Sequence, residues 1–292
     1  MKIVFAGSPQ LGAVVLAKLI KSNLQIQLVL TKSPKPAGRG KKTQETPVQV
    51  IAKKNKIPIL SPAKLDSQDL ISSLRKISPD LIIVAVYSKI FPKNILDLPK
   101  YGVLNVHPSL LPKLRGPAPI QFAILDGEVK TGVTIIKMSE SLDEGDILAQ
   151  VEVPISAADT TQSLTDKLAK IGAELIIQTI PKWINGQIKP KPQDHLKATY
   201  SAMLTKYDGK IDLENPPSAQ KFDRIVRAFY PWPGVWAIFK RNKGTKGDKS
   251  DKGLIIKFLP GNLIQIEGKK PITLSEFLNG YPKIKDLISK LY

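Results

Sequence analysis

Leu81-Ile82-Ile83-Val84-Ala85-Val86-Tyr87 is a run with no charge and no turn-forming residue. A short stretch apolar on both faces suits a central strand of a parallel sheet, covered by helices above and below. Ile3–Ala6, Gln25–Leu30, Ile57–Leu60 and Val103–Val106 read as further strands around it. Between them Leu11–Lys21, Pro47–Asn55 and Asp69–Ile77 carry helical spacing, and Thr46-Pro47 reads as an N-cap followed by proline at the first helical position. Strand and helix in alternation predict an open α/β sheet with right-handed crossovers. Thr134–Met138 and Leu148–Ile155 read as two more strands, and Thr160–Trp183 as a long amphipathic helix.

The pattern changes near residue 184. Asn185-Gly186 and Lys189-Pro190-Lys191-Pro192 break both periods and read as an extended linker. Beyond it lie a helix over Ser218–Phe229, short strands at Val235–Phe239, Leu254–Phe258 and Leu263–Glu267, and helical patterns at Leu274–Leu278 and Ile284–Leu291. The expected organisation is a domain over 1–183, a linker over 184–206 and a small, mostly β domain over 207–292, with a mobile loop at Lys240–Gly253. Trp232 and Trp236 read as packing residues of this second part, and His195 as a solvated residue of the linker.

Composition narrows the chemistry. The 292 residues contain no cysteine, which removes disulfides, thiol nucleophiles and cysteine metal sites and fits a reducing compartment. No leader-like segment precedes the first strand, and no run of ~18 apolar residues occurs, so the expectation is a cytoplasmic protein without a membrane span. The net charge is +19 and uneven: residues 1–60 hold 11 basic and 1 acidic residue, whereas residues 121–180 hold 4 basic and 10 acidic. Such a field suits a polyanionic partner, although lysines spread over solvated faces would give the same total. Two phosphate motifs fail. Gly7-Ser8-Pro9-Gln10-Leu11-Gly12 lacks the middle glycine of a dinucleotide fingerprint, and Gly40-Lys41-Lys42-Thr43 has Lys35 where a Walker loop needs glycine.

Chemistry concentrates in Asn105-Val106-His107-Pro108-Ser109-Leu110-Leu111-Pro112-Lys113-Leu114-Arg115-Gly116. The segment leaves a buried strand at the carboxyl end of the sheet, where open α/β folds bind ligands. Asn105 and His107 are two apart and project to one side, so an amide and an imidazole can meet the same developing oxyanion. Ser141-Leu142-Asp143-Glu144-Gly145-Asp146 supplies a carboxylate able to orient an imidazole and fix its tautomer. Taken alone, His107 equally fits a strand-end residue, and the acidic segment fits an ordinary β-turn.

These segments together resemble the methionyl-tRNA formyltransferase family. Phe5-Ala6-Gly7-Ser8-Pro9 is similar to its opening turn, and Pro36-Ala37-Gly38-Arg39-Gly40-Lys41-Lys42 to its basic loop. Asn105–Pro112 with Arg115-Gly116 is similar to its signature, Leu142–Asp146 to its partner loop, and Arg227–Gly234 to the entry of its C-terminal domain. The resemblance implies a Rossmann-like formyltransferase sheet followed by a small, shortened OB-like barrel. It implies transfer of the formyl group of 10-formyltetrahydrofolate to the α-amino group of methionyl initiator tRNA, without a metal and by a monomer. Asn105, His107 and Asp143 would be catalytic. Ser109, Leu110, Leu111, Pro112, Val86, Tyr87 and Ser88 would bind the folate, Ser88 standing where many members have glycine. Arg39, Lys41 and Lys42 would grip the tRNA. The rival readings are a folate-dependent formyltransferase for a nucleotide sugar or purine precursor, and a tRNA-binding module without catalysis.

Overall fold

A computed structural model of the chain describes residues 1–37, 42–239 and 253–292. It divides into two compact units. The first comprises residues 1–119, 130–154 and 165–201, and the second 120–129, 155–164 and 202–292. The two therefore interleave along the chain, and residues 184–201, expected as linker, belong with the N-terminal sheet.

In chain order the elements of the first unit begin with β1 (Lys2–Gly7), α1 (Gln10–Lys21) and β2 (Gln25–Leu30). A hairpin, β3 (Lys35–Ala37) and β4 (Lys42–Gln44), precedes α2 (Pro47–Lys54), β5 (Ile59–Leu60) and α3 (Gln68–Ile77). Then come β6 (Leu81–Ala85), α4 (Lys93–Leu96), β7 (Val103–His107) and, counted from residue 120 with the second unit, α5 (Pro119–Leu125). β8 (Lys130–Lys137), β9 (Asp146–Pro154) and α6 (Thr161–Ile184) follow, α6 counting with the first unit from Thr165 onward. Seven strands form one sheet in the order β5-β2-β1-β6-β7-β8-β9, parallel from β5 to β7. β8 alone runs against its neighbours.

The central strands are buried along their whole length, as the unbroken apolar runs predict: every residue of β6 and β7 is covered. α1 turns Leu11, Val15, Leu16 and Leu19 inward at helical spacing. α2 starts as expected. Thr46 Oγ1 accepts from the Gln49 amide at 3.1 Å while Gln49 Oε1 accepts from the Thr46 amide at 2.9 Å, a reciprocal cap behind Pro47.

Three local readings differ from the structure. β6 ends at Ala85 rather than Tyr87 because Val86 adopts φ +53°, which a β-branched residue in a strand cannot continue. β8 starts at Lys130, four residues early, because the polar opening Lys130-Thr131-Gly132 hides strand character. Gly132 is required there: a Cβ would stand 2.1 Å from the Val151 carbonyl oxygen. The β3–β4 hairpin pairs Lys35 with Gln44, Pro36 with Thr43 and Ala37 with Lys42, and was not visible as a strand pattern.

The second unit contains α7 (Ala219–Ala228), β10 (Val235–Phe239), β11 (Leu254–Leu259), β12 (Leu263–Ile266), β13 (Ile272–Thr273), α8 (Leu274–Gly280) and α9 (Lys285–Ile288). Its strands form an antiparallel meander in chain order. Val235, Ala237, Ile256, Phe258, Ile264 and Ile266 alternate along them into the interior. Phe222 of α7 meets Phe258 edge-on at 5.1 Å and Tyr292 at 5.6 Å. Trp236 is half-buried and donates from Nε1 to the Lys206 carbonyl at 3.3 Å. Trp232 instead stands 54% exposed, against its expected packing role. Residues 240–252 of the expected mobile loop lie outside the described residues. No helix among the described residues is long and apolar enough to cross a membrane.

Candidate active site

β7 delivers Asn105 and His107 to the carboxyl end of the sheet, both buried and on one side of the strand. β8 and β9 are joined by the turn that carries Asp143, whose side chain is 10% exposed. The turn needs Gly145, since a Cβ there would sit 1.9 Å from the Lys137 carbonyl oxygen. Asp143 is the hub of the site. Its Oδ1 accepts from Asn105 Nδ2 at 3.4 Å and lies 3.6 Å from His107 Nδ1, while Oδ2 accepts from the Gly116 amide at 2.8 Å. Asn105, His107 and Asp143, read separately from the sequence, converge within hydrogen-bonding or ion-pairing reach.

The far ring nitrogen of His107 is also committed. Nε2 lies 3.0 Å from the Leu114 carbonyl oxygen, and a carbonyl only accepts, so Nε2 carries a proton in this arrangement. Nδ1, facing Asp143, is the ring nitrogen left to exchange one. The Leu114 carbonyl is presented by a left-handed backbone, φ +58°.

The loop after β7 is braced from the sheet. Thr134 Oγ1 donates to the Ser109 carbonyl at 2.6 Å and accepts from the Leu111 amide at 3.1 Å. Gln150 Nε2 donates to the Leu111 carbonyl at 2.9 Å and to Thr134 Oγ1 at 2.8 Å. Ser109 Oγ turns back to the Lys113 carbonyl at 2.7 Å, so its contribution to a ligand would come from elsewhere on the residue. Leu110 lies over Gly132, Leu111 is buried and Pro112 half-buried.

Val86, Tyr87 and Ser88 leave β6, the strand beside β7, so the two expected folate segments emerge from adjacent strands. Ser88 is exposed. The Tyr87 hydroxyl is buried without a hydrogen-bond partner, and burial pushes its pKa up to about 12, which keeps it a donor. Arg39 and Lys41 lie outside the described residues. Lys42 stands in β4 opposite Ala37, the pair next to residues 38–41.

Several residues that hold the site were not singled out as such from the sequence. Arg115, fully buried, donates from Nη1 to Glu144 Oε1 at 2.8 Å and to the Tyr200 hydroxyl at 3.2 Å. His195, read as solvated, is exposed yet accepts from Arg115 through Nδ1 at 3.4 Å. Thr199 Oγ1 accepts from the Leu114 amide at 2.9 Å, and Ser201 binds the Arg115 carbonyl through its amide at 2.7 Å. Such bonds cross about 80 positions of sequence and have no local spacing to betray them.

The formyl transferase family model matches residues 1–180, the stretch of Rossmann-like sheet that carries Asn105, His107 and Asp143. The chain is 42% identical over 296 residues to the methionyl-tRNA formyltransferase of Thermodesulfovibrio yellowstonii, covering 95% of each chain. It is 40% identical over 309 residues to that of a Sulfurihydrogenibium species, covering 98% of each. The chain belongs to the methionyl-tRNA formyltransferase family. Among solved structures, a sugar N-formyltransferase from a Shewanella species shares the fold with a TM-score of 0.64 at 19% identity, over 87% of this chain and 98% of that one.

Proposed function

We propose that this protein moves the formyl group of 10-formyltetrahydrofolate to the α-amino group of methionine esterified to initiator tRNA. The observation that carries the reading is the convergence of Asn105, His107 and Asp143 at the end of β7, in a chain of this family.

The neutral amine attacks the formyl carbon, forming a C–N bond and a tetrahedral oxyanion. Asn105 spends one amide hydrogen on Asp143 and offers the other to that oxygen. His107, held by the Leu114 carbonyl at Nε2, adds its ring dipole, or its positive charge once protonated, beside the same oxygen. The Asp143–Nδ1 pair takes the proton released by the amine and returns one to the folate nitrogen as its bond to the formyl carbon breaks. No covalent intermediate on the protein is needed.

Ser109–Pro112 and Val86–Ser88 would hold the folate. The buried, unpartnered Tyr87 hydroxyl fits a polar ring system that supplies an acceptor. Arg39, Lys41 and Lys42 would hold the tRNA, Arg39 through a bidentate fork to phosphate or a base edge. The absence of cysteine agrees with a cytoplasmic setting, and the protein acts there as a monomer.

Formylation of charged initiator tRNA and of a nucleotide-sugar amine, each with the same folate donor, tests the assignment. Turnover of the tRNA alone is expected. Preference for the sugar amine would move the protein to the small-molecule branch of the fold, and no turnover of either would leave a binding module.

A further inference from the structure

The turn holding Asp143 is gripped by side chains from elsewhere in the chain. Asp143 has φ +54°, a left-handed backbone that is uncommon outside glycine, although Asp adopts it more readily than most residues. The amide that holds this turn comes from the stretch after α6. Gln193, 6% exposed, donates from Nε2 to the Asp143 carbonyl at 2.7 Å and to the Gly145 carbonyl at 2.7 Å. Its Oε1 accepts from Arg115 Nε at 3.2 Å and Nη2 at 2.9 Å, and the same guanidinium reaches Glu144 Oε1 at 2.8 Å. Three consecutive residues of the turn are thus gripped by one amide and one guanidinium.

The orientation of that amide is dictated by its partners. A guanidinium has only donors and a carbonyl only accepts, so the flipped amide would set N–H against N–H and oxygen against oxygen. In the observed sense both hydrogens and both lone pairs of the side-chain amide are used. Glutamate at this position could keep the bonds from Arg115 but could not donate to the two carbonyls. Gln193 also lies beyond residues 1–180, which the formyl transferase model matches.

We infer that Gln193 is a positioning residue for formyl transfer: backed by Arg115, it fixes the Asp143–Gly145 backbone so that the Asp143 carboxylate meets Asn105, His107 and the Gly116 amide. Gln193 touches none of the reacting atoms and acts through Asp143. The inference rests on the catalytic role proposed above for Asp143.

The test uses the full-length protein with Gln193→Ala, Gln193→Glu and Asp143→Ala, and each Gln193 change combined with Asp143→Ala. Both Gln193 variants are expected to lower kcat by about 10²-fold, the scale of loss when a reacting group is misplaced by an ångström, with KM for folate and tRNA unchanged. Neither should slow Asp143→Ala further, because a residue acting only through Asp143 has nothing left to position. Wild-type turnover in Gln193→Glu would overturn the inference, as would losses that multiply in the double variants. Should Gln193→Ala fail to fold, Gln193→Glu, which keeps the Arg115 link, carries the same comparison. Failure of both to fold would make Gln193 a stability residue and overturn it too. Wild-type turnover in Asp143→Ala would instead sink the role of Asp143 itself, a separately readable outcome.

Discussion

The two compact units bury different kinds of side chain. Of the buried polar and charged residues among those described, only Asp159 and Thr161 belong to the C-terminal unit. The rest, Asn105, His107, Arg115, Thr134 and Gln193 among them, lie in the N-terminal unit and converge largely on one corner of its sheet. Each such group costs about 1–3 kcal/mol if its partner is lost, so the corner tolerates one arrangement and few others. The C-terminal meander is lined by apolar side chains and keeps its lysines, including Lys257, Lys269, Lys270, Lys285 and Lys290, in solvent. One unit directs its specific groups inward, where they can orient reacting atoms. The other directs charge outward, where it suits a long anionic partner.

The largest effect that would sharpen this contrast comes from removing one buried anchor in each unit. Arg115→Met takes the buried guanidinium from Gln193 and from the partly exposed Glu144, and two charge-assisted hydrogen bonds at ~1.5–3 kcal/mol each put the cost at about 3–5 kcal/mol. Phe258→Ala opens a cavity against Phe222 and costs about 3–5 kcal/mol as well. Denaturant titration should give similar losses. At a temperature where both variants stay folded and both substrates saturate, only Arg115→Met should also turn over slowly. Equal turnover in the two would erase the distinction.

Next in size are the chemical residues. His107→Ala and Asp143→Ala should each lower turnover by about 10²–10³-fold, the usual cost of one oxyanion-hole or general acid–base partner, with thermal unfolding still cooperative. Near wild-type turnover in either would break the assignment. Lys42→Ala should weaken tRNA binding tenfold or less and lower the log–log salt slope by about one, leaving folate binding unchanged. Arg39→Ala should in addition alter the choice between initiator and elongator tRNA. Identical small effects of both changes on both tRNAs would reduce the basic loop to solvated charge.

The smallest effect is alkaline. Burial holds the Tyr87 phenol up to about 12, against its ordinary value of 10.0, so the unfolded chain loses this proton first. Its contribution to stability is complete below pH 10 and is lost as pH rises toward 12. Tyr87→Phe should therefore lose less stability between pH 9 and pH 11 than the parent protein, by denaturant titration at each pH. Parallel losses in the two would mean that the hydroxyl titrates as if exposed.

The parallel sheet was legible because its strands are apolar on both faces, a pattern that hides nothing at β6 and β7. β8 was half hidden, since Gly132 answers to the Val151 carbonyl and not to any periodicity. Asn105 and His107 could be paired from spacing alone, and Asp143 joined them through resemblance. The Leu114 carbonyl and the Gly116 amide could not be found, because backbone groups are present at every residue and only the fold selects two of them. Residues 184–201 misled for a related reason. Pro190, Pro192 and their lysines do preclude regular structure, but irregular backbone can still be fully committed to partners. Thr199 and Ser201 hold the loop after β7 although the string around them reads as a spacer.

That commitment matters to anyone recombining these enzymes. A chimera joined at Gly186, where α6 gives way and the amino-acid texture changes, would take Gln193, Thr199, Tyr200 and Ser201 from one parent and Arg115, Leu114 and Asp143 from the other. The seam would run through the lacework around the imidazole. A crossover after Ser201 keeps each parent's corner intact, at the point where the first compact unit also ends.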